Sequence, residues 1–108
     1  LESVAFRIPT ITTNLAGFGL WVNSLLGRQG ELSDGVAVIQ RGDSNYFEMS
    51  DVITKTICKF AVQNTKEVDA IRKNAAKIAD KALWKCFILN YFDAYDCALQ
   101  QAETRKNV

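Results

Sequence analysis

Gly35-Val36-Ala37-Val38-Ile39 holds four consecutive apolar residues, three of them β-branched, and reads as a strand. Side chains along a strand point alternately to opposite faces, so a run without polar alternation has to be covered on both. That requires helices above and below a sheet, the usual situation of a parallel one. A second strand is expected at Pro9-Thr10-Ile11-Thr12-Thr13, where Pro9 pushes Ile8 towards extended geometry and β-branched residues follow. Two strands are too few to stand alone. The expected class is therefore α/β, the end of an open sheet, with two short parallel strands followed by three helices.

The chain changes character near residue 45. The strand and loop portion, 1–45, begins with the end of a helix at Leu1–Arg7. A loop punctuated by Gly17, Gly19, Gly27, Gly30 and Gly35 is expected between the strands, and a turn at Arg41-Gly42-Asp43-Ser44-Asn45. The helical portion, 46–108, shows apolar residues at spacings of three and four. Met49, Ile53, Ile57 and Phe60 define a first helix, capped by Ser50 or by Asn45, which has Glu48 three residues on. Val68, Ile71, Ala75, Ile78 and Ala82 define a second, with Thr65 as its expected cap. A third runs from about Leu83 to Glu103, with one stripe through Trp84, Phe87, Ile88, Tyr91, Phe92, Tyr95, Ala98, Leu99 and Ala102.

Composition removes several chemistries. With 13 basic and 12 acidic residues the formal charge is +1, without the basic excess of a phosphate-backbone binder, so no nucleic-acid partner is expected. There is no histidine, hence no Ser-His-Asp or Cys-His arrangement and no His-ligated zinc; neither metal nor cofactor is expected. Cys58, Cys86 and Cys97 are odd in number, lack close pairing and sit in apolar runs. They read as buried thiols in a reducing compartment, the cytoplasm. No run is long and apolar enough to span a membrane. Leu1–Arg7 lacks the basic and apolar regions of a signal peptide, and the chain is expected to begin inside a longer protein.

Individual motifs carry little on their own. Arg41-Gly42-Asp43 is explained by a turn using glycine for positive φ. Gly17-Phe18-Gly19 follows a strand, but the third glycine of a dinucleotide fingerprint is absent and no helix is expected to open there. Lys66, Lys73, Lys77, Lys81 and Arg72 offer phosphate-binding charge, with a solvated face as the default.

Taken together, the segments resemble a family. Leu1-Glu2-Ser3-Val4-Ala5-Phe6, then Ile8-Pro9-Thr10-Ile11-Thr12-Thr13-Asn14-Leu15-Ala16-Gly17-Phe18-Gly19, is similar to the C-terminal part of eukaryotic-type glycogen synthases and their bacterial relatives. Ala82-Leu83-Trp84-Lys85, Tyr91 and Ala98-Leu99 match that family's terminal helix. The resemblance implies a Rossmann-like nucleotide-binding domain of a two-domain, GT-B-type retaining glycosyltransferase. Such an enzyme passes glucose from a nucleotide-glucose donor (UDP-glucose favoured over ADP-glucose) to the non-reducing end of glycogen. Glu2 matches the family glutamate that accepts hydrogen bonds from the donor's ribose hydroxyls, near a helix start. No catalytic residue is expected within 1–108, and the piece alone is expected to be inactive. Its terminal helix would cross onto the partner domain, so its stripe is expected to be partly exposed and to self-associate, and the enzyme to be a homo-oligomer.

Two departures stand out. Where eukaryotic members carry an arginine-rich, sugar-phosphate-binding helix, Glu67–Leu83 keeps only Arg72 as an arginine, which implies weak or absent activation. The chain also ends at Val108 without the long tail of animal members; both features suit a bacterial relative. The contrasting expectation is a non-enzymatic helical module that binds a partner protein.

Overall fold

The computed structural model describes residues 1–106. A four-residue helix α1 (Glu2–Ala5) leads to β1 (Thr10–Thr13), then helix α2 (Gly17–Leu26) crosses to β2 (Val36–Ile39). A single 3-10 turn, Leu32–Asp34, precedes β2. Three helices follow: α3 (Tyr46–Ala61), α4 (Thr65–Lys81) and α5 (Trp84–Lys106). The strands pair in parallel, Thr10 opposite Val36 through Thr13 opposite Ile39. The α/β class and the buried second strand are as expected, since all four residues of β2 are buried.

β2 is covered as its composition requires. Val36 and Val38 share one face and pack with Val4 of α1, Val22 of α2, and Ala75 and Ile78 of α4. Ala37 and Ile39 point the other way, where α3 supplies Met49. The outer edge of β2 is closed by the preceding loop. Val38 N–H donates to the Gly30 carbonyl (2.9 Å), and Gln29 Nε2 donates to the Val38 carbonyl (2.6 Å). Among the described residues nothing pairs with the far edge of β1. β2 is therefore a finished edge and β1 an unfinished one.

The expected glycine loop is corrected: Gly17–Leu26 is a helix. Helix propensity argues against Gly17 and Gly19, but Gly19 is what lets α2 lie against β1, since a Cβ there would fall 2.1 Å from the Thr13 carbonyl oxygen. α2 ends at Gly27 in left-handed geometry, φ +67°. The loop proper is only 27–35, and it is latched. Arg28 makes a two-pronged ion pair with Asp34, both N···O distances 2.8 Å, while Glu31 N–H donates to Asp34 Oδ2.

That fork, helped by the Glu31 amide, holds the Asp34 carboxyl below its ordinary range, and the Asp34 carboxylate in turn pushes the Arg28 guanidinium up. A carboxyl depressed on folding contributes stability that is complete above its unfolded value of 3.8 and lost as pH falls through the lower folded value. Asp34→Asn should therefore lower the thermal midpoint at neutral pH and leave it close to wild type at the most acid pH that keeps the fold. A deficit that persists undiminished in acid would show that the fork is not its source.

Cap assignments shift by small amounts with clear causes. Asn64, not Thr65, caps α4, in a reciprocal box with Glu67 at 2.9 Å in both directions. Asn45 is the residue before α3, but its side chain is committed to the turn behind it. Oδ1 accepts from Gly42 N–H (2.7 Å) and Nδ2 donates to the Gln40 carbonyl (2.6 Å), so neither serves the helix. The left-handed φ expected at Gly42 is absent; Gly27, Gly35 and the non-glycine Arg7 (φ 60°) hold it.

The cysteine expectation is also corrected. Cys58 and Cys97 are exposed and Cys86 is half-buried. Of α3 only Met49 is buried and of α5 no residue, so neither exposed thiol is covered. Beyond Phe87, which packs on Trp21 at 5.7 Å between ring centroids, α5 projects away from the sheet. Tyr91, Phe92, Tyr95 and Leu99 of the stripe all stand exposed, as its reading anticipated, and so does Leu89.

Candidate functional site

Open parallel sheets bind ligands at the carboxyl ends of their strands, because the loops and helix starts converge there. In this chain that rim begins where β1 ends. Asn14 N–H donates to the Ile39 carbonyl (3.0 Å), and its side-chain Oδ1 accepts from Arg41 N–H (2.7 Å). One asparagine thus ties together the segments leaving both strands. Immediately after it, α2 opens at Gly17 with Ala16 at the capping position and no side chain on its first amides. The helix that was not expected after Gly17-Phe18-Gly19 is therefore present, in strand–turn–helix order.

Leu1, Gly17, Phe18, Trp21, Ala82 and Phe87 line one apolar hollow of about 340 Å³, which sets Leu1 beside the start of α2. Glu2, the first residue of α1, is exposed next to it. Its setting differs in one respect from the expectation. α1 is four residues long, too short for a developed helix dipole, so the nearby amide-rich terminus is that of the ten-residue α2. Ser3 holds this turn to the strand, its Oγ lying 2.7 Å from Thr10 Oγ1.

Arg72 and Lys73 of α4 do not join this rim. Ala75 lies against Gly35, the residue that precedes β2, so the middle of α4 sits at the amino ends of the strands. There Arg7, Asp69, Arg72 and Lys73 line a separate hollow of about 360 Å³. Lys77 donates to Asn74 Oδ1 at 3.2 Å, and the α4 lysines are exposed. No group of His, Cys, Asp or Glu able to hold a metal occurs among the described residues.

A family model described as glycogen synthase matches residues 1–107. This chain belongs to the glycogen synthase family. A curated relative described as "Glycogen [starch] synthase", from Neurospora crassa, is 24% identical over 101 residues, covering 94% of this chain. The chain spans 14% of that relative's length. The resemblance carried by Leu1–Phe6, Ile8–Gly19 and Ala82-Leu83-Trp84-Lys85 thus extends over nearly the whole of 1–107, and the glycogen synthase stretch takes in both strands and all five helices. The relative is fungal, so it lends the bacterial assignment no support. Sequence reasoning found Glu2 only through the family likeness; nothing in its own neighbours distinguishes it from a surface carboxylate. Asn14 and Arg41 were missed as a pair because they are 27 positions apart.

Proposed function

We propose that this glycogen synthase stretch is part of the nucleotide-binding domain of a retaining, GT-B-type glycosyltransferase. The whole enzyme transfers glucose from UDP-glucose to the non-reducing end of an α-1,4-glucan in glycogen synthesis. It works in the cytoplasm as a homo-oligomer, and 1–108 alone is inactive. The observation that carries the reading is the family match over 1–107. The unfinished edge of β1 supports it, since it leaves room for the further strands of a larger sheet.

In this reading Glu2 binds the donor's ribose. An ionised carboxylate offers two acceptor oxygens to a vicinal diol, and such charge-assisted bonds are roughly twice as strong as neutral ones. Its exposure leaves both oxygens free for a ligand. The chain's part in catalysis is to hold and orient the nucleotide; the groups that act on the sugar lie outside these residues.

The test uses the full-length enzyme with glycogen and either UDP-glucose or ADP-glucose. Glu2→Ala should raise the KM for the donor about 10- to 100-fold, the value of losing bonds to a charged acceptor. Glu2→Asp should recover part of that, and KM for glycogen should stay put. An unchanged donor KM removes Glu2 from the site, and incorporation from neither donor ends the glycosyltransferase reading.

A further inference from the structure

We propose that the corner formed by Arg41, Tyr46 and Phe47 is an acceptor subsite that takes one pyranose unit of an α-glucan. The proposal rests on the glycosyltransferase reading above and names a second contact surface for its substrate. Tyr46 and Phe47 open α3, 64% and 83% exposed, with their rings edge-to-face at 5.3 Å and 89°. α3 buries Met49 and needs neither ring for its packing on the sheet. Two adjacent aromatic rings in edge-to-face contact, exposed among the described residues, form a ready stacking platform.

Arg41 completes it. Its backbone N–H is tied to Asn14, its Nη1 donates to Asn45 Oδ1 (3.1 Å), and its guanidinium lies 5.7 Å from the centre of the Tyr46 ring. Asn45 is itself clamped to Gly42 and Gln40, so the arginine is held at both ends. Of its five N–H donors one is committed, and among the described residues no carboxylate pairs with it, the one ion pair being Arg28–Asp34. The result is a rigid planar donor fork beside an open aromatic face, at the end of β2 and on the same rim as the start of α2.

That chemistry fits a neutral sugar. A pyranose carries C–H groups on its faces, which stack on the electron-rich face of an aromatic ring, and hydroxyls around its edge, which accept from the fork. An anion fits less well, since Asp43 and Glu48 flank Arg41 and Phe47 in sequence and offset the single positive charge. Phe47 supplies the platform, and the Tyr46 hydroxyl and Arg41 reach the sugar's edge.

The experiment uses the full-length enzyme, with glycogen-affinity gel electrophoresis and steady-state kinetics. Tyr46→Ser, Phe47→Ser and Arg41→Met should each weaken retardation by glycogen and raise KM for glycogen about five- to tenfold, with KM for the nucleotide-glucose unchanged. Phe47→Trp should restore binding. Phe47 is far enough out of the core for its serine variant to keep the wild-type thermal midpoint. Wild-type retardation and KM in that folded variant would overturn the subsite. So would KM values for both substrates rising together with a lowered midpoint. A wild-type enzyme that neither incorporates glucose nor is retarded by glycogen would instead bring down the glycosyltransferase reading, and the subsite with it.

Discussion

Gly35→Val is expected to cost about 3–5 kcal/mol, the largest loss from any single change in this chain, because two independent penalties fall on one residue. The first is conformational. Gly35 holds φ +87°, a region that costs a residue with a Cβ about 1–2 kcal/mol. The second is steric. A Cβ there would sit 2.3 Å from the backbone nitrogen of Ala75 and 2.6 Å from its Cα. Both neighbours are helix backbone and cannot rotate away, so α4 itself would have to move, and α4 contributes Ile71, Ala75 and Ile78 to the core. Gly27 provides the control. It too has a left-handed φ, +67°, but its missing Cβ faces open space. Gly27→Ala should cost only about 1 kcal/mol, the conformational part. The midpoint of thermal or denaturant unfolding of the full-length protein checks both, and equal losses at the two positions would show that contact with α4 is unimportant.

Gly19→Val is the second large effect, about 2–4 kcal/mol, and purely one of packing. Gly19 has ordinary helical geometry, so a substitution on exposed helix would gain up to about 1 kcal/mol from propensity. Here the added Cβ would meet Thr13 O at 2.1 Å and Thr13 C at 2.9 Å. Thr13 is paired opposite Ile39 and cannot withdraw, so α2 must lift away from β1. Because α2 carries Val22 into the core and opens the rim proposed to hold the nucleotide, the same change should also raise the donor KM. Gly17→Ala, two residues earlier with nothing near its missing Cβ, should leave the midpoint within about 0.5 kcal/mol of wild type. A stable, fully active Gly19→Val enzyme would refute the close packing of α2 on β1.

These two glycines also show where reading the chain in order succeeds and where it fails. β2 was legible because a run of Val36, Ala37, Val38 and Ile39 has one stable environment, a strand covered on both sides. α4 was legible because Val68, Ile71, Ala75 and Ile78 repeat at helical spacing against a charged opposite face, and three of the four are buried. α2 was not, because local propensity scores Gly17 and Gly19 as breakers, while the benefit of Gly19 comes from Thr13, across the β1–α2 turn. The thiols were misjudged for a related reason. Cys58 and Cys97 have apolar neighbours in sequence, but Cys58 lies on the side of α3 away from the sheet and Cys97 on a part of α5 where every described residue is exposed. Asn45 looked like a helix cap from its spacing to Glu48, and the turn at Gln40–Gly42 claimed its side chain instead.

The candidate rim divides the same way. Glu2 was named through family likeness, whereas its company at the start of α2 follows from the shared hollow of Leu1 with Gly17 and Phe18. The Asn14–Arg41 link, and with it the fixed corner of Arg41, Tyr46 and Phe47, has no local signature at all.

From composition and order came the α/β class, the doubly buried strand, the helical second half and the family, each of which depends on neighbours within a few positions. The tertiary arrangement settled which end of the sheet each group occupies. It set Arg41 on the carboxyl rim and placed Arg72 and Lys73 at the opposite end. The reason is geometric: a parallel crossover brings together residues dozens of positions apart, and steric contacts such as Gly35 against Ala75, 40 positions on, decide where each helix comes to rest.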